Sequence, residues 1–350
     1  MNLLQAFKAI KPAIGKGVLL TSVKIEASAN RMMLTASNLT FSLSAAAEYE
    51  GDAFSCCANG KLFGEALERL QTPDIQFTDS HIVLSLGRTR IQLATTSVND
   101  FPTDTEYTDT LTIDVPRIAH HLQQVFYAAA DKDIRYYLNG VQLQGAPGAI
   151  VAVATDGHRM AVSRLEADAE PFDIILPRES AKELIALDPA SMVIGLSDGQ
   201  AVNLTAERAD VHLTTKLVEG KFPDWRKVLP NHVRYVSTSR KSLIAALGVL
   251  KPFAGTSGVS IATDAEIRSL TTTSTMLHLS VSDITQSANA EDHLPCEGDE
   301  SFDFGFNIGY LVDAIQGMSS EAVSIQFGDS NVPVRMDDGE YTAIISPMRI

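Results

Sequence analysis

The chain is short of cysteine and of long apolar runs, and each shortage excludes a class of protein. Its three cysteines, Cys56, Cys57 and Cys296, are an odd number with two adjacent, so no disulfide framework is expected. They supply no four ligands at zinc-finger spacing, and we expect neither a metal nor another cofactor. No run reaches the roughly 18 apolar residues that span a bilayer, and residues 1–8 lack the pattern of a secretion signal. We therefore expect a cytoplasmic protein with no membrane partner.

The balance of charged and apolar residues indicates a globular protein of several domains. Hydrophobic residues make up 45% of the chain and charged residues 20%, which argues against disorder. At 350 residues the chain is too long for one small core, so two or three domains are expected. The 28 basic and 43 acidic residues give a net charge of −15, but net charge averages over surfaces with different roles. It therefore does not exclude a nucleic-acid partner.

A repeat of helical segments organises the chain. Apolar residues at helical spacing predict six helices, separated by short strands rich in Val, Ile, Leu and Thr. The predicted helices cover 3–14, 61–70, 116–130, 178–187, 241–253 and 308–318. Their starts form two interleaved series with a period of roughly 115 to 130 residues. The pattern predicts an α+β fold of three repeated domains, at 1–112, 113–232 and 233–350.

The residues at two domain ends support the repeat. Both 93–102 and 213–223 read as a strand, a polar turn and an exit through Phe-Pro. The simpler alternative is three tandem α+β domains with no shared geometry. Paired helices and short antiparallel strands in every copy favour a repeated domain whose two helices share one face.

Five segments match a known protein family in order and spacing. They are DIRYYLNG at 133–140, ATDGHRMA at 154–161, KLVEGKFPDWRKVLP at 216–230, FGFN at 304–307 and PMRI at 347–350. These segments resemble the bacterial DNA polymerase III beta subunit, or beta sliding clamp, family. The matches are dense from 100 to 230 and at the C-terminus, and sparse in the first hundred residues.

The resemblance implies a fold, an assembly and a set of partners. The fold is the DNA clamp fold, in which each of three repeated domains has two helices and two antiparallel sheets. Two chains are expected to form a head-to-tail homodimer, a six-domain ring around double-stranded DNA without sequence specificity. A DNA polymerase and clamp-loader subunits are expected to bind it through short linear motifs. The implied function is to tether the polymerase for processive synthesis, with no enzymatic activity.

A cleft for partner peptides is the sharpest site that the resemblance implies. The matching positions are Leu138, Thr155, Gly157, His158, Arg159, Met160, Pro223, Val228, Ile344, Pro347, Met348 and Arg349. Apolar walls suit the apolar anchors of a peptide, and methionine adapts to different partners. The alternative is that these are ordinary core residues at a domain junction. Ser346 and Met160 depart from the family pattern, which usually has a larger apolar residue and a leucine there.

A DNA-contacting surface is a second expected site. Basic side chains on the lumen-facing helices should contact phosphates without reading bases. The expected residues are Lys16, Lys61, Arg69, Lys132, Arg135, Tyr136, Tyr137 and Arg178. The alternative for any single residue is a solvated surface cation. The last predicted helix carries no Lys or Arg, so we expect an uneven lining.

A seam between two chains is the third expected site. Residues 1–112 carry 9 basic and 12 acidic residues and 233–350 carry 7 and 15, so the two ends differ in charge at −3 and −8. Arg88 and Arg90, with Ile91 as apolar filler, match the family's seam on a predicted edge strand. Ile261 and Glu291 fall at the opposing positions. Pairing two edge strands there would hide edges that otherwise invite aggregation.

Other functions remain open from the sequence alone. Asp156 and His158 could form a catalytic pair, but neither a nucleophile elbow nor a phosphate-binding glycine loop accompanies them. A clamp-fold paralogue could serve a specialised polymerase or repair partner. A tandem-domain interaction scaffold without DNA threading is the remaining alternative.

Overall fold

The chain forms two compact units in the computed structural model. The structure describes residues 1–16, 20–78, 80–102, 106–254, 258–264, 275–283, 288–299, 302–329 and 331–348. The first unit contains Met1–Ala119 and Glu179–Glu219, and the second contains His120–Arg178 and Gly220–Ile350. Each unit is therefore built from two separate stretches of chain.

Six helices and 23 strands make up the described part of the chain. The helices are α1 (Leu3–Ile10), α2 (Gly60–Leu70), α3 (Ile118–Phe126), α4 (Arg178–Leu187), α5 (Arg240–Leu250) and α6 (Ile308–Gln316). The strands are β1 (Ser22–Ser28), β2 (Arg31–Ser37), β3 (Phe41–Glu48), β4 (Phe54–Asn59), β5 (Asp74–Thr78), β6 (His81–Leu86), β7 (Thr89–Thr96), β8 (Asp109–Asp114), β9 (Gly140–Ala146), β10 (Ala149–Thr155), β11 (Arg159–Leu165), β12 (Phe172–Pro177), β13 (Ser191–Ser197), β14 (Gln200–Arg208), β15 (Val211–Lys216), β16 (Arg234–Ser239), β17 (Val259–Asp264), β18 (Thr275–Asp283), β19 (Ala288–Gly298), β20 (Asp303–Phe306), β21 (Ala322–Phe327), β22 (Val334–Asp338) and β23 (Tyr341–Ile345). Short 3-10 turns lie at Lys11–Ala13, Val98–Asp100, Tyr136–Leu138, Trp225–Val228 and Lys251–Phe253.

The helices begin and end where local chemistry dictates. Asn2 forms a capping box with Gln5 at the start of α1, and Asn59, Ser239 and Asn307 cap α2, α5 and α6. Six helices therefore occur where the apolar spacing predicts them, which confirms that expectation. Helix α3 is shorter than the predicted 116–130, and Arg117 just before it has a φ of 62°, outside the helical region.

The first unit contains one antiparallel sheet of eleven strands. Its strand order is β5-β6-β7-β4-β1-β2-β3-β15-β14-β13-β8. Buried residues alternate with more exposed ones along β1. Because successive side chains point to opposite faces, one face of this strand packs against the core. Strand β3 pairs with β15, from Phe41 opposite Thr215 to Ala45 opposite Val211.

The second unit contains one antiparallel sheet of twelve strands. The order is β12-β9-β10-β11-β23-β22-β21-β16-β19-β18-β17-β20. Strand β11 pairs with the last strand, β23, with Met160 opposite Ile344. This pairing brings the C-terminal strand beside the turn that follows β10.

The fold class is confirmed as α+β with antiparallel sheets. Both sheets continue across the expected domain boundaries, since β3 pairs with β15 and β11 with β23. The boundaries at 112 and 232 stay a prediction. Among the described residues, no helix is long and apolar enough to cross a membrane.

Candidate functional site

A cavity of about 270 Å³ opens on the second unit. Its lining combines a turn between β10 and β11, the segment around the Trp225–Val228 turn and the end of β23. The lining residues are Arg135, Leu138, Thr155, Gly157, His158, Arg159, Met160, Phe222, Pro223, Asp224, Trp225, Val228, Pro333, Ile344 and Ser346. Stretches far apart in sequence therefore form one site, which we call the cleft.

The turn between β10 and β11 is fixed by its own polar side chains. The Thr155 hydroxyl donates to the Arg159 carbonyl at 2.7 Å and accepts from the Gly157 amide at 3.1 Å. Asp156 Oδ1 accepts from the amides of His158 and Arg159 at 2.9 and 3.0 Å. Such side-chain to backbone bonds hold a turn in one conformation. The turn therefore presents Gly157 and His158 at the mouth of the cleft.

Gly157 is required at this position by its backbone and its surroundings. Its φ is +91°, a conformation that L side chains rarely adopt. A Cβ there would lie 3.0 Å from Nη1 of Arg135. The glycine thus lets the guanidinium of Arg135 lie directly against the turn.

Arg135 belongs to the wall of the cleft. Its Nε and Nη2 donate to the two carboxylate oxygens of Asp133 at 3.0 and 2.7 Å, and Nη2 also donates to the Asp156 carbonyl at 3.0 Å. These bonds hold the pKa of the Asp133 carboxyl down at about 2. The guanidinium therefore tethers the turn.

The segment after Gly220 supplies an aromatic wall. Phe222 and Trp225 are buried, and the Trp225 Nε1 donates to Oε1 of Gln144 at 3.3 Å. Arg226 donates to the same oxygen and lies 4.2 Å from the Trp225 ring centre. Val228, by contrast, is 59% exposed at the rim. Because most of the Val228 side chain is exposed beside the cavity, it is available to contact an apolar ligand.

The end of β23 closes the cleft. Ile344 is buried opposite Met160, and the Ser346 amide donates to the His158 carbonyl at 2.9 Å. Leu138 and Met160 are also buried in this floor. The cleft thus has an apolar floor and a polar rim, the usual composition of a site for small molecules or peptide side chains.

The structure brings together nine of the twelve cleft residues that the sequence predicted. These are Leu138, Thr155, Gly157, His158, Arg159, Met160, Pro223, Val228 and Ile344. Pro347 and Met348 are half-buried and do not line the cavity, and the Met348 amide instead donates to the Gly305 carbonyl at 2.9 Å. Arg349 lies outside the described residues. The Met348 backbone is thus bonded to β20, and the contributions of Pro347, Met348 and Arg349 to the peptide cleft stay predictions.

Some lining residues were not among the predicted cleft set. Phe222, Asp224, Trp225 and Pro333 line the cavity, as does Ser346, which the sequence marked only as a departure. The first three lie inside the 216–230 segment, so the motif already contained them. Pro333 lies in no motif, and only the pairing of β22 with β23 brings it to the site.

Asp156 and His158 do not form a catalytic dyad in this turn. The Asp156 carboxylate accepts the backbone amide of His158, and its second oxygen accepts Nε of Arg159 at 2.9 Å. A general base for the imidazole must reach a ring nitrogen. The carboxylate is thus occupied in shaping the turn.

The residues predicted to contact DNA fall into two groups. Lys16, Lys61 and Arg69 in the first unit and Lys132 in the second are exposed, and they have no carboxylate partner among the described residues. Arg178 donates through Nη1 to the carbonyls of Phe126 and Ala129, and Arg135 is bound to Asp133. Tyr136 is exposed and Tyr137 is half-buried. Their rings meet edge to face, with 5.7 Å between the ring centres. Arg135 and Arg178 therefore have structural partners that compete with a phosphate.

The predicted seam residues lie on two strands with open edges. Arg90 and Ile91 lie on β7, and Arg88 directly precedes it; both arginines are exposed and Ile91 is half-buried. Strand β4 pairs only with Thr95 and Thr96 of β7, so the part of this edge beside Arg90 and Ile91 is open. Glu291 is exposed on β19, where β16 pairs only from Cys296 onward. Over the described residues, both strands thus have unpaired backbone beside the predicted positions.

Ile261 is a correction to the predicted seam. It lies on the inner face of β17 opposite Leu279 and Phe304, and its exposed fraction is 0%. A side chain without solvent exposure in the single chain has no surface to offer a partner. We therefore assign Ile261 to the core of the second unit.

Comparisons with known proteins agree with the fold. The model for the DNA polymerase III beta subunit central domain matches residues 112–224, and that for its C-terminal domain matches 239–349. The beta sliding clamp of Pseudomonas putida is 31% identical over 297 residues, covering 79% of this chain and 76% of the relative. That of Vibrio cholerae is 28% identical over 356 residues, covering 95% and 92%.

Solved structures show the same fold along the whole chain. The DNA polymerase III subunit beta of Pseudomonas aeruginosa superimposes with a TM-score of 0.88 at 24% identity, covering 99% of this chain and 98% of that one. A structure of the same clamp bound to griselimycin gives 0.87 at 24% identity, covering 99% and 97%. The fold is thus that of the sliding clamps. The chain itself belongs to the beta sliding clamp family, as its identity to the P. putida protein shows.

Proposed function

We propose that two copies of this sliding clamp close head to tail into a six-domain ring around double-stranded DNA. The ring tethers a DNA polymerase, so that the enzyme stays at high local concentration on its template. The domains of the ring are 1–112, 113–232 and 233–350. The preformed cleft carries the proposal most directly, because it gathers dispersed family positions into one apolar site.

The cleft serves as the docking site for short linear motifs of the polymerase and the clamp loader. Its apolar floor matches apolar anchors, while exposed Val228 provides further contact area at the rim. Polar groups at the mouth, such as Thr155 and the exposed His158, are suited to fix the peptide backbone. The bound segment would thus be extended, with its anchors in the cavity.

The seam joins the open edge of β7 to the open edge of β19 of a second copy. Arg88 and Arg90 on one edge face Glu291 and Asp292 on the other, so the charges are complementary. Exposed ion pairs contribute only about 0–1 kcal/mol each. Backbone pairing and apolar contact therefore supply most of the closure.

Exposed apolar residues beside both edges support this seam. Phe253 is 43% exposed in a 3-10 turn that contacts β19, and Leu62 is 50% exposed on α2, which packs against β7. Large apolar side chains left in solvent near an open strand edge favour association. We add both residues to the proposed interface.

DNA is held by a few exposed cations. Lys16, Lys61, Arg69 and Lys132 are proposed as the phosphate contacts, since their side chains are exposed. Few contacts suit a ring that has to slide. The protein acts without catalysis or cofactor, in the cytoplasm.

The solution mass tests this assembly. Light scattering should give twice the 37.7 kDa chain mass, and electron micrographs of the same peak should show a central hole wide enough for a duplex. A monomer at micromolar concentration, or a dimer without a hole, would favour an interaction scaffold. Calorimetry with griselimycin tests the cleft separately, with Val228→Asp as the variant that should weaken binding.

A further inference from the structure

The side chain of Arg159 is enclosed although it borders the cleft. Its exposed fraction is 13%, and Nε donates to Oδ2 of Asp156 at 2.9 Å. Nη1 donates to Oδ2 of Asp313 at 2.6 Å. Asp313 lies on α6, more than 150 residues from the turn. The guanidinium therefore joins the turn to a helix.

Two aromatic rings also lie close to the same guanidinium. Tyr310, three residues before Asp313 and on the same face of α6, has its ring centre 4.2 Å from the guanidinium carbon. The ring centre of Tyr127 lies 5.2 Å away. Cation–π contacts are stronger where the cation is largely removed from water, and the Arg159 side chain is only 13% exposed.

The aromatic cluster also reaches the C-terminal strand. Tyr127 donates its hydroxyl hydrogen to the Tyr341 hydroxyl at 2.8 Å, and Tyr341 donates to the Ala314 carbonyl at 3.0 Å. Burial raises the pKa of both phenols, which keeps them neutral. Strand β23 begins at Tyr341 and pairs with β11 at Arg159, and helix α6 contains Ala314 and Asp313, so both elements meet at Arg159.

We propose that Asp313 is a positioning residue of the cleft, which acts by holding Arg159, and that Arg159 is a brace of the cleft rather than a donor to its ligand. The proposal rests on the proposed peptide-binding function of the cleft. Two of the five guanidinium donors already bond to carboxylates, and the rings of Tyr127 and Tyr310 lie close to the guanidinium carbon. Asp156, which the brace also fixes, shapes the backbone of Gly157 and His158.

The two possible roles of Arg159 predict opposite effects of one substitution. If Arg159 is a ligand donor, replacing Asp313 by Asn weakens the bond that competes with the ligand for a guanidinium hydrogen, and the affinity stays equal or rises. If Arg159 is a brace, the same substitution loosens the turn and lowers the affinity. Asp313→Asn preserves shape and one acceptor oxygen, so the change is mainly in charge.

Calorimetry with griselimycin on the full-length protein measures this difference. We expect Asp313→Asn to weaken binding about fivefold or more, and Tyr310→Leu to weaken it in the same direction. Glu340→Gln is the matched control, because it removes the exposed ion pair with Arg164 in the same unit and should leave affinity unchanged. Hydrogen exchange of the Gly157 and His158 backbone amides should be faster in Asp313→Asn. If the substitution perturbs only α6, the exchange rates of these two amides should not change.

A double-mutant cycle makes the mechanism specific. In an Arg159→Lys background, Asp313→Asn should cost much less affinity than in the wild type, because the guanidinium bridge between Asp156 and Asp313 is already lost. Failure of the wild type to bind griselimycin would overturn the proposed cleft function itself. Normal wild-type binding with unchanged or tighter binding by Asp313→Asn would overturn only the positioning role.

Discussion

A pair of isoleucine substitutions separates the proposed seam from the core. Ile91 is half-buried on the open strand β7, and Ile261 is fully buried on β17. Replacing each with Asp introduces the same charge in two different environments. We expect Ile91→Asp to give a folded monomer and Ile261→Asp to unfold the second unit.

The magnitudes follow from burial. Replacing the fully buried Ile261 loses about 1.5–3 kcal/mol of the stabilisation that comes from apolar burial. The carboxylate left between Leu279 and Phe304 adds several kcal/mol, because it has no partner there. The sum is a large part of a domain stability of about 5–15 kcal/mol. At Ile91 the carboxylate can reach solvent, so we expect a folding loss of about 1 kcal/mol.

Light scattering and thermal unfolding together measure both outcomes. Ile91→Asp should run at the 37.7 kDa chain mass with a cooperative unfolding transition close to that of a monomeric reference. Ile91→Asn, without the charge, should keep part of the dimer. A stable dimer of Ile91→Asp would refute the seam, and a well-folded monomer of Ile261→Asp would refute the burial that we assign to that residue.

Three further substitutions test the cleft and its surroundings. Val228→Asp should weaken griselimycin binding about tenfold in calorimetry, with no change in melting temperature, because the side chain is exposed. Tyr341→Phe should lower the free energy of unfolding by about 1–3 kcal/mol in denaturant titration, since the Ala314 carbonyl loses its buried donor. The pKa of the Asp133 carboxyl should be about 2 by carbon NMR, and Arg135→Ala should raise this pKa toward its ordinary value of 3.8. Because the pKa of Asp133 is depressed in the folded protein, its stabilising contribution is present above pH 3.8 and is lost as the pH falls toward 2. In Arg135→Ala, the free energy of unfolding should therefore depend less on pH between these two values.

Much of the fold was predictable from spacing alone. Six helices follow from apolar residues at helical period, and caps such as Asn59 and Asn307 mark their starts. Partners between distant strands were not predictable, since pairing of β11 with β23 depends on tertiary packing rather than on local pattern. Pro333 reaches the cleft through the pairing of β22 with β23, which the local pattern did not predict either.

The burial of Ile261 could have been read from the sequence. Val259 and Ile261 alternate with Ser260 and Ala262, and a period of two puts both aliphatic residues on one face. The resemblance to the family placed Ile261 at the interface instead, whereas the alternation predicts the buried position that the structure has. The brace around Arg159 had no such signal, because Asp313 and Tyr310 lie in a helix far along the chain.

Retention on circular DNA tests the central claim most directly. The clamp is loaded on a nicked plasmid with a bacterial clamp loader, separated from free protein by gel filtration, and the plasmid is then cut once. A ring that encircles DNA should co-elute with the closed circle and leave after linearisation, while Ile91→Asp should not be retained. Release from the intact circle, or retention on the cut plasmid, would contradict topological linkage and indicate ordinary DNA binding.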